Sequence, residues 1–274
     1  MNLPSLGMGT WGMGGKFERD ESNVRESVEA LRFGLTLGLS LIDGAELHGE
    51  GLTEEIIGQA IKGVPREKVF LISKVSREHL SFDGVRAACE GSLKRLGVDY
   101  IDLYLVHKLP PENPLPQEET FQALLSLLKE GKVRHTGVSN FNVAQLEAAQ
   151  KFVPKSVLEA NQVEYNLLYQ EAGKEVIPYC RKHDIAIMAH RPLGKGALMN
   201  IESEILDGIC KKYNKTRTQV ALNWIISQGI TAIPKAGSKE HMQENMGALG
   251  WEMEEGDIEA LRALDGSVPY EKIQ

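Results

Sequence analysis

Polar residues that end apolar runs are the residues of this sequence best placed to do chemistry. Asp43 directly follows Leu41 and Ile42, and His48 stands five positions after Asp43. A carboxylate at the tip of a buried strand is costly unless something compensates its charge. Lys74, which ends the apolar run VFLIS, is the partner that the pattern favours. In a dry pocket each charge stabilises the other, and the ammonium then shifts the pKa of a neighbouring proton donor.

Seven polar residues end apolar runs in this way. They are Asp43, Lys74, His107, Ser139, Gln162, His190 and Lys235. Successive members are 31, 33, 32, 23, 28 and 45 residues apart, with helix-period segments between them. A repeat of about 30 residues is typical of a βα unit repeated around one sheet. The seven side chains are therefore expected at the same edge of that sheet.

Eight strand-like segments alternate with helical patterns, from SLGMGTW at 5–11 to ITAIPK at 230–235. This alternation predicts a (β/α)8 TIM barrel, formed as a single domain by residues 1–274, with its sites at the C-terminal ends of the strands. An open doubly wound sheet is the alternative, because GMGTWG at 7–12 matches the pattern G-x-G-x-x-G. Trp11 stands where a tight phosphate turn requires a small residue, and no helical pattern follows, which favours the barrel.

Composition limits the class of ligand. The chain has 274 residues and a net charge of −7, which argues against a general nucleic-acid or anionic-membrane binder and favours a small ligand. No apolar run approaches the roughly 20 residues needed to span a bilayer. The N-terminus lacks a basic leader with an apolar segment, so a cytoplasmic protein is expected. Cys89, Cys180 and Cys210 are odd in number and lie in apolar helical patterns, which predicts reduced core thiols.

Each strand-end residue taken singly also has a purely structural interpretation. Lys74 fits a surface lysine, His107 a core histidine and Asp43 a helix N-cap. In the predicted barrel, however, these residues share one rim, which carries an acid, several bases and amides, all at the ends of apolar strands. This concentration favours a functional site.

Seven motifs, in order and spacing, resemble those of the aldo-keto reductase superfamily over nearly the whole chain. They are LIDGAELHGEGLTEEIIG, VFLISKV, YIDLYLVH, GVSNF, ANQVEYN, AHRPLGKG and IPKAGSKEHMQEN. The resemblance implies a (β/α)8 barrel that binds NAD(P)H without a Rossmann fold and reduces aldehydes and ketones. A small-molecule carbonyl substrate and a monomer or weak homo-oligomer are expected.

The resemblance also implies roles for individual residues. Asp43, Lys74 and His107 correspond to three members of the catalytic tetrad, and Trp11 would line the substrate pocket. The cofactor-binding residues would be Ser139, Asn140 and Gln162 for the nicotinamide carboxamide, His190 for ring stacking, Pro192 and Leu193, and Lys235, Ser238, His241, Glu244 and Asn245 for the adenosine phosphate and adenine.

Three histidines depart from the family pattern. His48 stands where the family has its proton-donating tyrosine, and His190 replaces the stacking tyrosine. His241 occupies a position where NADPH-preferring members often carry arginine, while Lys235 still favours the phosphorylated cofactor. NADPH is therefore the expected cofactor, with NADH as the alternative, and activated carbonyls are the favoured substrates.

Three functions are compatible with these residues. The first is an NAD(P)H-dependent carbonyl reductase, with His48 in the proton-donor position. The second is a cofactor-binding regulatory or redox-sensing protein with weak turnover, for which the loss of the tyrosine argues. The third is a metal-dependent barrel hydrolase that uses His48, His107, His190 and Asp43 as ligands. Lys74 would repel a metal ion, so no metal site is predicted and the reductase ranks first.

Overall fold

The computed structural model describes residues 1–272, and an eight-stranded parallel sheet forms its centre. The strands are β1 (Gly7–Gly9), β2 (Leu41–Asp43), β3 (Phe70–Val75), β4 (Ile101–Val106), β5 (Val133–Ser139), β6 (Ala160–Glu164), β7 (Ala186–His190) and β8 (Thr231–Ile233). Each strand pairs with the next one along the chain. Parallel bridges from Leu6 to Ala232 and from Gly9 to Lys235 join the last strand to the first. The predicted barrel is confirmed.

Ten α-helices surround this sheet in the described part of the chain. They are α1 (Val24–Thr36), α2 (Leu52–Ile61), α3 (Phe82–Leu96), α4 (Glu118–Lys129), α5 (Val143–Ala149), α6 (Val176–Lys182), α7 (Glu204–Tyr213), α8 (Arg217–Ile226), α9 (Lys239–Met246) and α10 (Glu255–Leu261). Local signals set several of their ends. Ser81 caps α3, Thr216 and Gln219 form a capping box on α8, and Gly97 ends α3 with φ 67°.

The interval of 45 residues between His190 and Lys235 has a structural cause. Two helices, α7 and α8, lie between β7 and β8, whereas the sequence pattern predicted one there. The segment of α7 is amphipathic and begins at Ser203, whose side chain accepts a hydrogen bond from Leu206 N. The long interval is therefore one βα unit with an added helix.

Two apolar layers hold the barrel together. The smaller layer fills its interior and consists of Leu41, Ile72, Leu103, Leu105, Ala160, Met188 and Ile233. The larger layer lies between the strands and the helices. Because the interior is packed with aliphatic side chains, the polar strand-end residues are confined to the C-terminal rim.

Two of the three cysteines belong to the core. Cys89 and Cys180 are buried and Cys210 is half-buried, and all three are free thiols. Burial raises the pKa of Cys89 to about 12 and that of Cys180 to about 11. No helix within residues 1–272 has the length and apolar character to cross a membrane.

Candidate active site

Asp43 and Lys74 form a buried ion pair at the C-terminal rim. Lys74 Nζ donates to Asp43 Oδ1 at 2.7 Å and to the carbonyl oxygen of Gly44 at 2.9 Å. Gln162 Nε2 donates to the same carboxylate oxygen at 3.0 Å. Lys74 is 1% exposed and Asp43 6% exposed, so water does little to stabilise either charge. The carboxylate that ends β2 is therefore compensated by the ammonium on the neighbouring strand and by an amide.

The segment after β2 brings His48 back toward the rim. A short 3₁₀ turn, His48–Gly51, precedes α2. Gly49 has φ 54°, and a Cβ at this position would lie 2.1 Å from the carbonyl oxygen of Gly14. Gly49 N donates to the carbonyl oxygen of Lys16 at 2.9 Å. Only glycine permits this close approach, which fixes His48 against the loop that follows β1.

Three rings lie in contact beside the ion pair. The ring centroids of Trp11 and His48 are 4.7 Å apart, and those of His48 and His107 are 5.6 Å apart, both in edge-to-face geometry. His107 directly follows β4. The Nδ1 atoms of both histidines are buried without a hydrogen-bond partner among the residues that the structure describes. Both imidazoles therefore retain unused hydrogen-bonding capacity at the rim.

Burial makes both imidazoles neutral at pH 7. It lowers the pKa of His48 well below 6.5, and the nearby Lys74 and His107 lower it further. Burial also lowers the pKa of His107 to about 3, and the positive charges of Lys74 and Lys108 act in the same direction. A second cation beside the Lys74 ammonium is unfavourable, so each histidine presents one N–H donor and one acceptor nitrogen.

A second polar group spans the ends of β5, β6 and β7. Ser139 Oγ donates to the carbonyl oxygen of Gln162 at 2.9 Å, and Asn140 Nδ2 donates to Ser139 Oγ at 3.0 Å. His190 Nε2 lies 2.8 Å from Asn140 Oδ1. Because that oxygen only accepts, the proton of His190 is on Nε2. Four predicted binding residues thus belong to one hydrogen-bonded group, which joins the ion pair through the Gln162 side chain.

Positive charge collects where the loop after β7 approaches the loop after β1. Pro192 is buried and Leu193 half-buried, and the exposed Lys195 follows them. Partial burial and the charges of Arg191 and Lys16 lower the pKa of Lys195. Arg191 is paired with Glu164, Nη1 to Oε2, at 2.9 Å. Sequence reasoning assigned no role to these three cations, although two of them lie within the quoted motif AHRPLGKG.

The remaining predicted residues lie after β8. Lys235 is exposed, and its Nζ would be 3.3 Å from a Cβ built on Gly12. Ser238 caps α9 by accepting from His241 N at 3.2 Å. Along α9, His241 is exposed, Glu244 half-buried and Asn245 buried. Lys235 therefore lies beside the loop after β1, Ser238 and His241 lie at the start of α9, and Glu244 and Asn245 lie near its end.

Comparisons with known proteins agree with this geometry. The model of the aldo/keto reductase family matches residues 5–266. The chain belongs to the aldo/keto reductase family. It is 37% identical to methylglyoxal reductase YeaE of Escherichia coli (strain K12), across 99% of this chain and 93% of that protein. It is 34% identical to glyoxal reductase of Bacillus subtilis (strain 168), across 97% and 90% of the two chains.

A solved structure leads to the same family. The aldo/keto reductase of Klebsiella pneumoniae, in complex with NADP and acetate, superimposes with a TM-score of 0.87. The two sequences are 35% identical, and the match covers 96% of this chain and 92% of the Klebsiella pneumoniae chain. Members of this family are oxidoreductases, which confirms the enzyme class predicted from the motifs and removes the basis for the hydrolase alternative. Within residues 1–272, no group of three or more His, Cys, Asp or Glu side chains is arranged to hold a metal ion.

In this aldo-keto reductase, Pro192 and Leu193 lie in the loop after β7, and the other predicted residues fall into three groups. Asp43, His48, Lys74, His107 and Trp11 lie together at the centre of the rim. Ser139, Asn140, Gln162 and His190 form the adjoining polar group. Lys235 follows β8, Ser238 caps α9, and His241, Glu244 and Asn245 lie on that helix. Gln162 contacts Asp43 directly, a contact that no sequence motif indicated.

Proposed function

We propose that this chain reduces activated carbonyl compounds, and 1,2-dicarbonyls in particular, with NADPH as the hydride donor and His48 in the proton-donor position. The observation that carries the proposal is the buried, neutral imidazole of His48 between Trp11 and His107, close to Lys74. The names of the methylglyoxal and glyoxal reductases that resemble this chain support the substrate class.

The rim has the donor set that a nicotinamide dinucleotide requires. The hydroxyl and amides of Ser139, Asn140 and Gln162 suit a carboxamide, which both donates and accepts hydrogen bonds. The cations Lys16, Lys195 and Lys235 suit phosphate groups. NADPH, when bound, supplies a hydride to the carbonyl carbon. The NADP complex of the Klebsiella pneumoniae reductase supports this choice of cofactor.

The residues of the chain orient the carbonyl and stabilise the charge that develops on its oxygen. His107 and His48 each offer a neutral imidazole N–H as a hydrogen-bond donor. The Lys74 ammonium, held by Asp43 and Gly44, adds a fixed positive charge beside them. Gln162 keeps the Asp43 carboxylate in place. These interactions strengthen as negative charge accumulates on the oxygen.

His48 explains why activated carbonyls are favoured. Imidazole reaches about 2 Å less far than a phenol, so proton transfer to an oxygen placed for tyrosine needs a closer substrate or a bridging water. A neutral imidazole is also a weak acid. The second carbonyl of a dicarbonyl withdraws electrons and lowers the basicity of the developing alkoxide. Reduction of such a substrate therefore depends less on protonation than reduction of a simple ketone does.

The substitution His48→Tyr tests this account. The parent enzyme should oxidise NADPH with methylglyoxal and turn over acetone or a simple aldehyde poorly. His48→Tyr should raise kcat/KM for the simple aldehyde about tenfold or more, since a positioned general acid contributes roughly 10²- to 10⁴-fold. Lys74→Met should then reduce turnover far more in the tyrosine variant than in the parent. His183 directly follows α6, at the opposite end of the barrel. The variant His183→Tyr is therefore the matched control and should change neither rate.

Two outcomes would contradict the proposal. Efficient reduction of simple ketones by the parent, with no gain in His48→Tyr, would show that His48 is not a weak substitute for the tyrosine. NADPH binding in a fluorescence titration, without dicarbonyl turnover in either protein, would instead favour the regulatory or redox-sensing function. That second function is motivated by the same neutral imidazole, which is a poor acid.

A further inference from the structure

His190 begins a directional series of hydrogen bonds at the rim. Its Nε2 lies 2.8 Å from Asn140 Oδ1. Asn140 Nδ2 donates to Ser139 Oγ at 3.0 Å and to the carbonyl oxygen of His107 at 3.3 Å. Ser139 Oγ in turn donates to the carbonyl oxygen of Gln162 at 2.9 Å. Because backbone carbonyl oxygens only accept, the series runs in one direction, from the His190 ring to the backbone of β4 and β6.

The orientation of the Asn140 amide follows from these acceptors. The carbonyl oxygen of His107 requires a donor, so the group that faces it is the NH₂ of Asn140. The Ser139 hydroxyl donates its hydrogen to a carbonyl oxygen, so its oxygen accepts from the same NH₂. The amide oxygen of Asn140 consequently faces His190. Burial lowers the pKa of His190 to about 3, which agrees with a neutral ring that donates through Nε2–H.

The backbone positions that carry the two side chains are fixed. His190 ends β7, where it pairs with Glu164 of β6 and with Ile233 of β8. Asn140 N donates to the carbonyl oxygen of Gln162 at 2.8 Å. Asn140 has φ 62°, a left-handed conformation that asparagine adopts more readily than most residues. The contact between the ring and the amide therefore joins two anchored positions.

This arrangement leaves Asn140 and Ser139 with acceptor capacity for a ligand. Both hydrogens of Asn140 Nδ2 and the hydroxyl hydrogen of Ser139 are already donated within the protein. An amide oxygen can accept two hydrogen bonds, and His190 supplies one of them to Asn140 Oδ1. The Ser139 oxygen likewise has a second lone pair. A ligand group that donates, such as the NH₂ of a primary amide, fits this part of the rim better than a methyl group does.

We propose that His190 is a positioning residue, which holds the Asn140 amide as an acceptor and thereby makes the rim select the NH₂ of the nicotinamide carboxamide. This role rests on the proposed binding of NADPH at the rim. It differs from ring stacking, because a stacking residue needs no N–H. Without that N–H, the exposed Asn140 side chain would keep only its bonds to Ser139 and His107 among the described residues. The amide would then be held less firmly, and the preference for a donor would weaken.

Two substitutions separate the N–H of His190 from its ring. His190→Phe keeps a flat ring and removes the donor. His190→Gln removes the ring and keeps an N–H donor, because Nε2 of glutamine lies the same number of bonds from the backbone as Nε2 of histidine. NADP⁺ and its acetylpyridine analogue, in which methyl replaces the carboxamide NH₂, are titrated into each protein by calorimetry in the absence of substrate. Binding is thus measured without turnover.

The ratio of the two dissociation constants is the readout. The parent should bind NADP⁺ about tenfold more tightly than the analogue, which corresponds to about 1.4 kcal/mol. The ratio should fall to about threefold or less in His190→Phe, since a neutral hydrogen bond contributes roughly 1 kcal/mol. In His190→Gln the ratio should persist while both ligands bind more weakly. A residue that acts by stacking alone would instead leave the ratio unchanged in His190→Phe.

The tautomer of His190 gives a second readout in the protein without cofactor. A long-range proton–nitrogen correlation spectrum at neutral pH should show the proton on Nε2. The signals of His190 are assigned by their absence from the spectra of His190→Phe and His190→Gln. A proton on Nδ1 would overturn the positioning role, because Nε2 would then accept and could not bond to the Asn140 oxygen.

His183→Phe is the matched control and should leave the ratio unchanged, because His183 follows α6. An unchanged ratio in His190→Phe, a lost ratio in His190→Gln, or equal binding of both ligands by the parent would overturn the positioning role. In each of these cases, binding of NADP⁺ by the parent would still uphold the proposed cofactor. Failure of the parent to bind NADP⁺ would overturn the proposed cofactor site and the positioning role with it.

Discussion

Removal of one charge from the Asp43–Lys74 pair should destabilise the fold strongly. In Lys74→Met, the Asp43 carboxylate stays buried and keeps only the hydrogen bond from Gln162 Nε2 among its two observed side-chain partners. In Asp43→Asn, the Lys74 ammonium stays buried and keeps the carbonyl oxygen of Gly44. Breaking a buried pair in this way costs roughly 3 to 5 kcal/mol, because an uncompensated charge is left in the interior.

The double variant Asp43→Asn, Lys74→Met should recover much of that loss. It removes both charges and keeps an amide oxygen for the hydrogen bond from Gln162. Replacement of a whole buried pair by neutral groups is often nearly neutral for stability. The free energies of the two single variants should therefore not add, and the coupling should amount to several kcal/mol by a double-mutant cycle.

Urea unfolding followed by circular dichroism measures these differences, and thermal unfolding gives a second readout. A loss of about 3 kcal/mol corresponds to a fall in Tm of roughly 6 to 12 °C for a domain near this size. Arg25→Met breaks the exposed pair between Arg25 and Glu29 on α1 and serves as the control, with no measurable change expected. Single variants as stable as the parent, or a double variant as unstable as the two losses combined, would refute the reasoning.

Two further predictions concern the cofactor and pH. NADPH should bind more tightly than NADH in a fluorescence titration. Lys235→Met should remove most of this difference in affinity, since one lysine–phosphate contact contributes roughly 1 to 3 kcal/mol. Equal affinities for NADPH and NADH in the parent would contradict the role of Lys235. Because the pKa values of His48 and His107 are lowered from 6.5, the unfolded chain binds protons at these residues at a higher pH than the folded chain does. Stability should therefore be constant above pH 6.5 and fall as the pH decreases from there toward 3, by up to about 1.4 kcal/mol per pH unit for each histidine. Urea unfolding at pH 7 and pH 5 measures this fall, and equal stability at both values would contradict the neutral state of the buried imidazoles.

The amino-acid sequence determined the barrel and the composition of its rim. Helical and strand periodicities are local properties, so the repeat of about 30 residues is readable without any contact between distant residues. Parallel strands in a barrel all end at the same rim, and this rule places Asp43, Lys74, His107 and Gln162 together once the repeat is recognised. The extra helix α7 was missed because nothing in the repeat itself indicates where a unit is extended.

Tertiary structure alone decided which atoms meet and how they are charged. Gln162 Nε2 reaches Asp43 Oδ1 across 119 positions of the chain, a contact set by the closure of the barrel. The pKa of His48 depends on how completely its ring is buried and on its distance from Lys74. The sequence assigns no role to Phe17, and only the fold shows that it is exposed and packs against Trp11. Burial and charge proximity are sums over neighbours that are distant along the chain, so no local pattern encodes them.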